Sequence, residues 1–182
     1  MSGHWENKKT VIKGNKGEEL VAEYFESKGW VVYRHSKNGA HPFDLLCVKN
    51  KSEMMIVEVK TKKSRGAYPD TGIDKRHYDD YVEATKNLPT PLFIAFVDDK
   101  EGRVYGNYFS ELIKPYKCKE THRWYPWVQE DDYSTKVYFA LENMEDLFDL
   151  AVHHNKYKHK AFRSPYTSIL RFRRPVQGHG YY

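Results

Sequence analysis

Pro42-Phe43-Asp44-Leu45-Leu46-Cys47-Val48, followed by Met55-Ile56-Val57-Glu58-Val59-Lys60-Thr61, decides how this chain folds. Both stretches are short, apolar and rich in β-branched residues, so they read as strands near 43–48 and 54–61. The polar run Lys49–Glu53 between them reads as a turn, which predicts antiparallel pairing. Successive side chains on a strand alternate faces, so Glu58 and Lys60 share one face while Val57, Val59 and Thr61 take the other. Asp44 stands at the entry of the first strand. Pairing therefore brings two carboxylates and one ammonium together in apolar surroundings. Neighbouring carboxylates repel, and a hard divalent cation is the usual physical remedy.

Upstream, Gly14-Asn15-Lys16-Gly17 precedes a helical pattern over 15–28 that closes at Lys28-Gly29, with glycine at the position that ends many helices. Residues 1–13 read as a polar leader. Trp30-Val31-Val32-Tyr33-Arg34 is a short strand, and 36–41 a loop with Asn38-Gly39. Downstream, Lys62-Lys63-Ser64-Arg65-Gly66 opens a basic loop that runs past Pro69 and Gly72. A second helix over 74–87 carries Tyr78, Tyr81, Val82 and Thr85 on one stripe. Strands follow at 91–97 and 103–109, with a turn at Asp98–Gly102. Pro115 and Pro126 interrupt 111–135, where Trp124, Tyr125 and Trp127 suggest a packed insertion or a surface platform. Val137–Leu141 reads as a strand and Met144–His154 as a short amphipathic helix. The order predicts an α/β sandwich, a mixed sheet flanked by helices.

The chain has 182 residues, 40% hydrophobic and 30% charged, which fits one domain with extensions. No apolar run approaches the roughly 20 residues of a membrane span, and the N-terminus lacks the apolar core of a signal peptide. Cys47 and Cys118 do not suggest a disulfide framework. A cytoplasmic protein without membrane partners is the expectation. The net charge of +5 is unevenly placed. From His153 to Tyr182 there are seven Lys or Arg and no acid, leaving the remainder about neutral. Such asymmetry favours a polyanionic partner.

Pro42-Phe43-Asp44 with Glu58-Val59-Lys60 resembles the motif of the PD-(D/E)XK nuclease superfamily, whose fold is restriction-endonuclease-like. Phe43, between Pro42 and Asp44, is a departure from the simplest form of that motif. The leading helix with Gly14-Asn15-Lys16-Gly17-Glu18-Glu19 and the following Lys28-Gly29-Trp30-Val31-Val32 strengthen the likeness, which is nearest to small Holliday junction resolvase-like nucleases. It covers roughly 14–110. The resemblance implies a nuclease core there, with 111–182 as a C-terminal extension packed on the core or binding nucleic acid. It implies that Asp44 and Glu58, with the backbone carbonyl of Val59, bind Mg²⁺ or Mn²⁺, and that Lys60 orients or helps to deprotonate the attacking water. It also implies a DNA substrate, with branched DNA in view, and a homodimer.

Glu18, Val21, Ala22 and Phe25 form a helical stripe, so Glu18 lies on the core-facing edge and Glu19 is turned about 100° toward solvent. The resemblance places an acid at this helix position. Glu18 is therefore expected as a further metal or water ligand. Lys62, Lys63 and Arg65 read either as phosphate contacts or as a solvated loop. In the tail, Lys158, Lys160, Arg163, Arg171, Arg173 and Arg174 interleave with aromatics, the pattern that grips strands by charge and stacking; an edge strand with a basic outer face is the alternative. His77 is read as a neighbour of the site rather than a catalytic group. Cys118 and His122 are too loosely arranged for zinc. Two other functions fit the same motif: an inactive nucleic-acid-binding module of this fold, and a nuclease directed at RNA.

Overall fold

The structure, a computed structural model, describes residues 9–34, 43–131 and 134–151. Helix α1 (Lys9–Ser27) leads into strand β1 (Val31–Arg34), β2 (Leu45–Lys49) and β3 (Glu53–Thr61). Strand β4 (Asp70–Asp74) and helix α2 (Lys75–Asn87) then carry the chain to β5 (Leu92–Asp98) and β6 (Arg103–Tyr108). A short helix α3 (Phe109–Leu112) and small strands β7 (Tyr116–Lys117) and β8 (Trp124–Tyr125) precede β9 (Trp127–Asp131), β10 (Ser134–Ala140) and β11 (Glu145–Asp149). The main sheet has the order β1-β2-β3-β5-β6-β11. Only β3 and β5 run parallel; every other neighbouring pair is antiparallel. The mixed α/β sheet expected from the sequence is present, with helices against it. A second sheet, β4-β10-β9, and a two-stranded ribbon, β7-β8, complete the described elements.

Two apolar layers line the main sheet. On one side Val21, Ala22 and Phe25 of α1 bury against Leu45, Cys47, Val57, Val59 and Ala95. This is the stripe that the helical spacing marks out. On the other side Ile56, Ile94 and Phe96 meet Ile73, Val137 and Phe139 of the second sheet, with Tyr78, Tyr81 and Val82 of α2 packed at the margin. Strand β5 is buried along its whole length, as the central, parallel-paired strand must be.

Three parts depart from the sequence reading. Helix α1 begins at Lys9 rather than at 15, so part of the expected leader is helical and Gly14 and Gly17 lie inside the helix. A Cβ at Gly17 would stand 2.1 Å from Thr61 Oγ1, so the missing side chain lets α1 lie directly on β3. Residues 70–74 form a strand where a loop was expected. Gly72 sits within it because a Cβ there would meet the Tyr138 ring and the Val137 carbonyl at 2.7 Å. Finally, where a helix was expected over 144–154, Glu145–Asp149 form strand β11, preceded by a 3-10 turn at Leu141–Asn143; Leu150 and Ala151 are helical, and 152–154 lie outside the described residues. A register shift between Asp146 and Phe148 places the consecutive apolar Leu147 and Phe148 inside a strand. Such a bulge breaks the period-two signal. Phe148 stacks on Tyr24 of α1, with ring centroids 4.8 Å apart.

Candidate active site

The hairpin forms as the pattern requires. Strands β2 and β3 pair from Leu45–Val57 to Lys49–Glu53. Asn50 and Lys51 turn the chain with φ of 53° and 65°, the left-handed region that asparagine tolerates better than most residues. At its other end the ladder stops at Leu45–Val57. There the Asp44 carboxylate takes over as acceptor: the Val59 amide donates to its Oδ2 at 2.7 Å. A side chain replaces the next ladder carbonyl, and this fixes Asp44 beside Glu58.

Glu58 is only 8% exposed. Its Oε1 accepts the Lys60 ammonium at 2.6 Å and the Tyr81 hydroxyl at 2.7 Å. The Lys60 ammonium also lies 5.7 Å from the centre of the Tyr81 ring. Burial, then the Glu58 charge and its hydrogen bond, push the Tyr81 phenol well above its ordinary range, so it remains a proton donor. Each carboxylate thus commits one oxygen to protein. Among the described residues, Asp44 Oδ1 and Glu58 Oε2 have no hydrogen-bond partner.

The Asp44 carboxyl is pushed up to about 7, first by burial and then by the charge of Glu58; Glu18 adds to the rise, while the Val59 amide and Lys60 oppose it. Glu18 is half-buried on α1 and Glu19 is exposed, as the helical period requires. The Gly17–Thr61 contact is what carries Glu18 so close to the end of β3. The charges of Glu58 and Glu18 both bear on Asp44, and it is this repulsion among acids, apart from burial, that a cation would relieve. Among the described residues, no group of three His, Cys, Asp or Glu side chains is gathered closely enough to hold a metal by itself. Two carboxylate oxygens with a backbone carbonyl nevertheless suit Mg²⁺, a hard ion that keeps several waters and needs only one or two carboxylates. The donor set fits the metal.

The remaining expected site residues are distributed unevenly. Lys62 lies 3.8 Å from Asp74, and Lys63 is exposed. Arg65 is committed elsewhere: it forms a two-pronged pair with buried Asp70, donates to Gln129 at 2.8 Å, and stacks 3.7 Å over the Tyr138 ring. His77, one turn before Tyr81, has its ring 6.4 Å from that of Tyr81. Its pKa is lowered by burial and then by Lys60. Pro42 and the tail residues Lys158, Lys160, Arg163, Arg171, Arg173 and Arg174 lie outside the described residues. The residue that sequence reasoning undervalued is Tyr81. Its place on the apolar stripe accounts for the ring, but a buried phenol also needs a partner, and Glu58 supplies it.

No protein-family model and no curated protein matches the chain. Among solved structures it is similar to Hjc, a Holliday junction resolvase of Archaeoglobus fulgidus, at 12% identity and TM-score 0.49, covering 77% of this chain and 99% of the other. It is also similar to a bacterial homing endonuclease, at 13% identity and TM-score 0.43, covering 83% and 93%. A nuclease from a fusselovirus gives 12% identity and TM-score 0.45, covering 83% and 95%.

Proposed function

We propose that this protein is a divalent-metal-dependent endonuclease that hydrolyses phosphodiester bonds in DNA, with branched DNA as the first substrate to test. The observation that carries the reading is the convergence of Asp44 and Glu58, each with one oxygen unbonded among the described residues, beside the Lys60 ammonium. A cation held by Asp44, Glu58 and the Val59 carbonyl would polarise the phosphoryl oxygens and lower the pKa of a bound water.

The chain supplies the rest. Tyr81 holds the Glu58 side chain in one orientation from the α2 side. The Val59 amide does the same for Asp44 from within the sheet. Lys60 stands at the same place with a positive charge, positioned to orient the attacking water and to offset charge growing on the phosphate. Glu18 adds negative charge at the edge and a further acceptor for that water. The resemblance to junction resolvases adds a homodimer making paired cuts; the lack of a signal-peptide core and of a disulfide framework in the sequence supports a cytoplasmic setting. The described residues contain no helix long and apolar enough to cross a membrane.

The test is a substrate panel of linear duplex, single-stranded, flap and four-way-junction DNA, with RNA alongside, in Mg²⁺, in Mn²⁺ and in chelator. Hydrolysis that requires metal and is lost in Asp44→Ala and Lys60→Ala, with DNA binding retained, is the expected result. Undiminished cleavage by both variants would refute the assignment. Binding without hydrolysis of any substrate would point instead to a catalytically inactive module. Mass measurement in solution checks the dimer.

A further inference from the structure

Beyond Thr61, the chain continues in the extended state: the Lys62 amide donates to the Val97 carbonyl at 3.0 Å, prolonging the pairing with β5. Glu58, Lys60 and Lys62 therefore occupy alternate positions on one side of the strand. The next charge comes from a different sheet. Asp74 at the end of β4 lies directly opposite Lys136 of β10, so their side chains share one face a few ångströms apart. The Lys62 ammonium is 3.8 Å from Asp74 Oδ2. Two lysines from two sheets thus flank one carboxylate. Burial lowers the Lys62 pKa, Asp74 opposes this, and the charges of Lys136 and Lys60 lower it further, so Lys62 feels both neighbouring ammonium groups. Among the described residues, Lys136 makes no ion pair.

We infer that Lys62 and Lys136 form a second phosphate subsite, which holds the DNA backbone next to the scissile phosphate at the end of β4 and β10. The inference rests on the nuclease reading and names a contact of its substrate. A polyanion is the occupant that this arrangement fits, because Lys62 and Lys136 flank one carboxylate and Lys62 follows Lys60 along the same side of the strand. The neighbouring framework is tied together by side-chain contacts. Gln129, which faces Lys136 from β9, accepts from Arg65, and Arg65 is held by Asp70 and stacked on Tyr138. Arg65 therefore acts as a buttress beneath the subsite rather than as a contact to phosphate. Lys136 lies far from the motif in sequence, on a strand that joins the site only through the second sheet.

The experiment is fluorescence anisotropy with fluorescein-labelled duplex and four-way-junction DNA in chelator, repeated over a range of salt. Lys62→Ala and Lys136→Ala should each weaken binding about three- to tenfold at low salt and reduce the slope of log K against log salt by about 0.9. Lys136→Arg should restore both. Lys114→Ala removes an exposed lysine paired with Glu111 and should change neither. Wild-type affinity and slope in both Lys136→Ala and Lys136→Gln would overturn the subsite, whatever the cleavage assay shows. Weakened binding by these variants together with no metal-dependent hydrolysis by the wild type would support the subsite and overturn the nuclease reading instead.

Discussion

At the scale of single residues, the site depends on atoms held by one bond each. Tyr81→Phe removes the hydroxyl that donates to Glu58 and leaves the ring packed against Phe109. A hydrogen bond to a charged group is worth about 1.5–3 kcal/mol. The phenylalanine variant should therefore lose about that much stability and, per folded molecule, cleave more slowly than wild type, when both are measured on the same preparation. A fall in stability with unchanged kcat would mean that the hydroxyl serves packing and not the carboxylate. Asp98 offers the corresponding test of structure. Burial alone would raise its pKa, but the hydroxyl and then the backbone amide of Ser64, with the amides of Glu101 and Lys100, bond its carboxylate and hold it below the ordinary range. A carboxyl depressed in the folded state stabilises fully above its unfolded pKa of about 3.9, and that contribution disappears as pH falls through the folded value. Asp98→Asn should cost about 1–3 kcal/mol at neutral pH. Denaturation curves should show the gap to wild type closing as the buffer is taken below about pH 4.

At the scale of elements, the approach of α1 to β3 sets where Glu18 stands. Gly17→Ala would force a methyl against the Thr61 side chain, and overpacking of this kind costs about 1–3 kcal/mol. Urea denaturation should show that loss. The variant should also lose cleavage beyond what its unfolded fraction explains, because the shifted helix carries Glu18 with it. Activity proportional to the folded fraction would separate Glu18 from the chemistry. Much of this level was legible in the residues. The β2–β3 hairpin, α1, α2, β5 and β6 all carry local periodicity or turn signals strong enough to place them. Strand β4 was hidden because Pro69 and Gly72 read as breakers, and only the packing of Tyr138 explains the glycine. Strand β11 was hidden because its bulge puts Leu147 and Phe148 side by side, and a helix accommodates that pattern as readily as a bulged strand.

At the scale of the whole molecule, the second sheet is locked to the loop that leaves the active-site strand. Asp70 is fully buried and accepts from both Arg65 and Tyr125, while Arg123 and Arg65 stack against Tyr68 and Trp127. Arg65→Met strands a buried carboxylate and should cost about 3–5 kcal/mol. Replacing Asp70 and Arg65 together should recover part of that loss, and a double-mutant cycle by chemical denaturation measures the coupling. The hairpin, the shared face of Glu58 and Lys60, and the greater burial of Glu18 than of Glu19 were legible in the chain alone, because these follow from periods of 2 and 3.6 acting over a few residues. That Tyr81 braces Glu58, that Arg65 is a half-buried strut on Asp70, and that Lys136 stands near Lys62 emerged with the packing of the two sheets. Those relations join residues far apart in the chain, and no local pattern encodes a partner that the fold alone brings within reach.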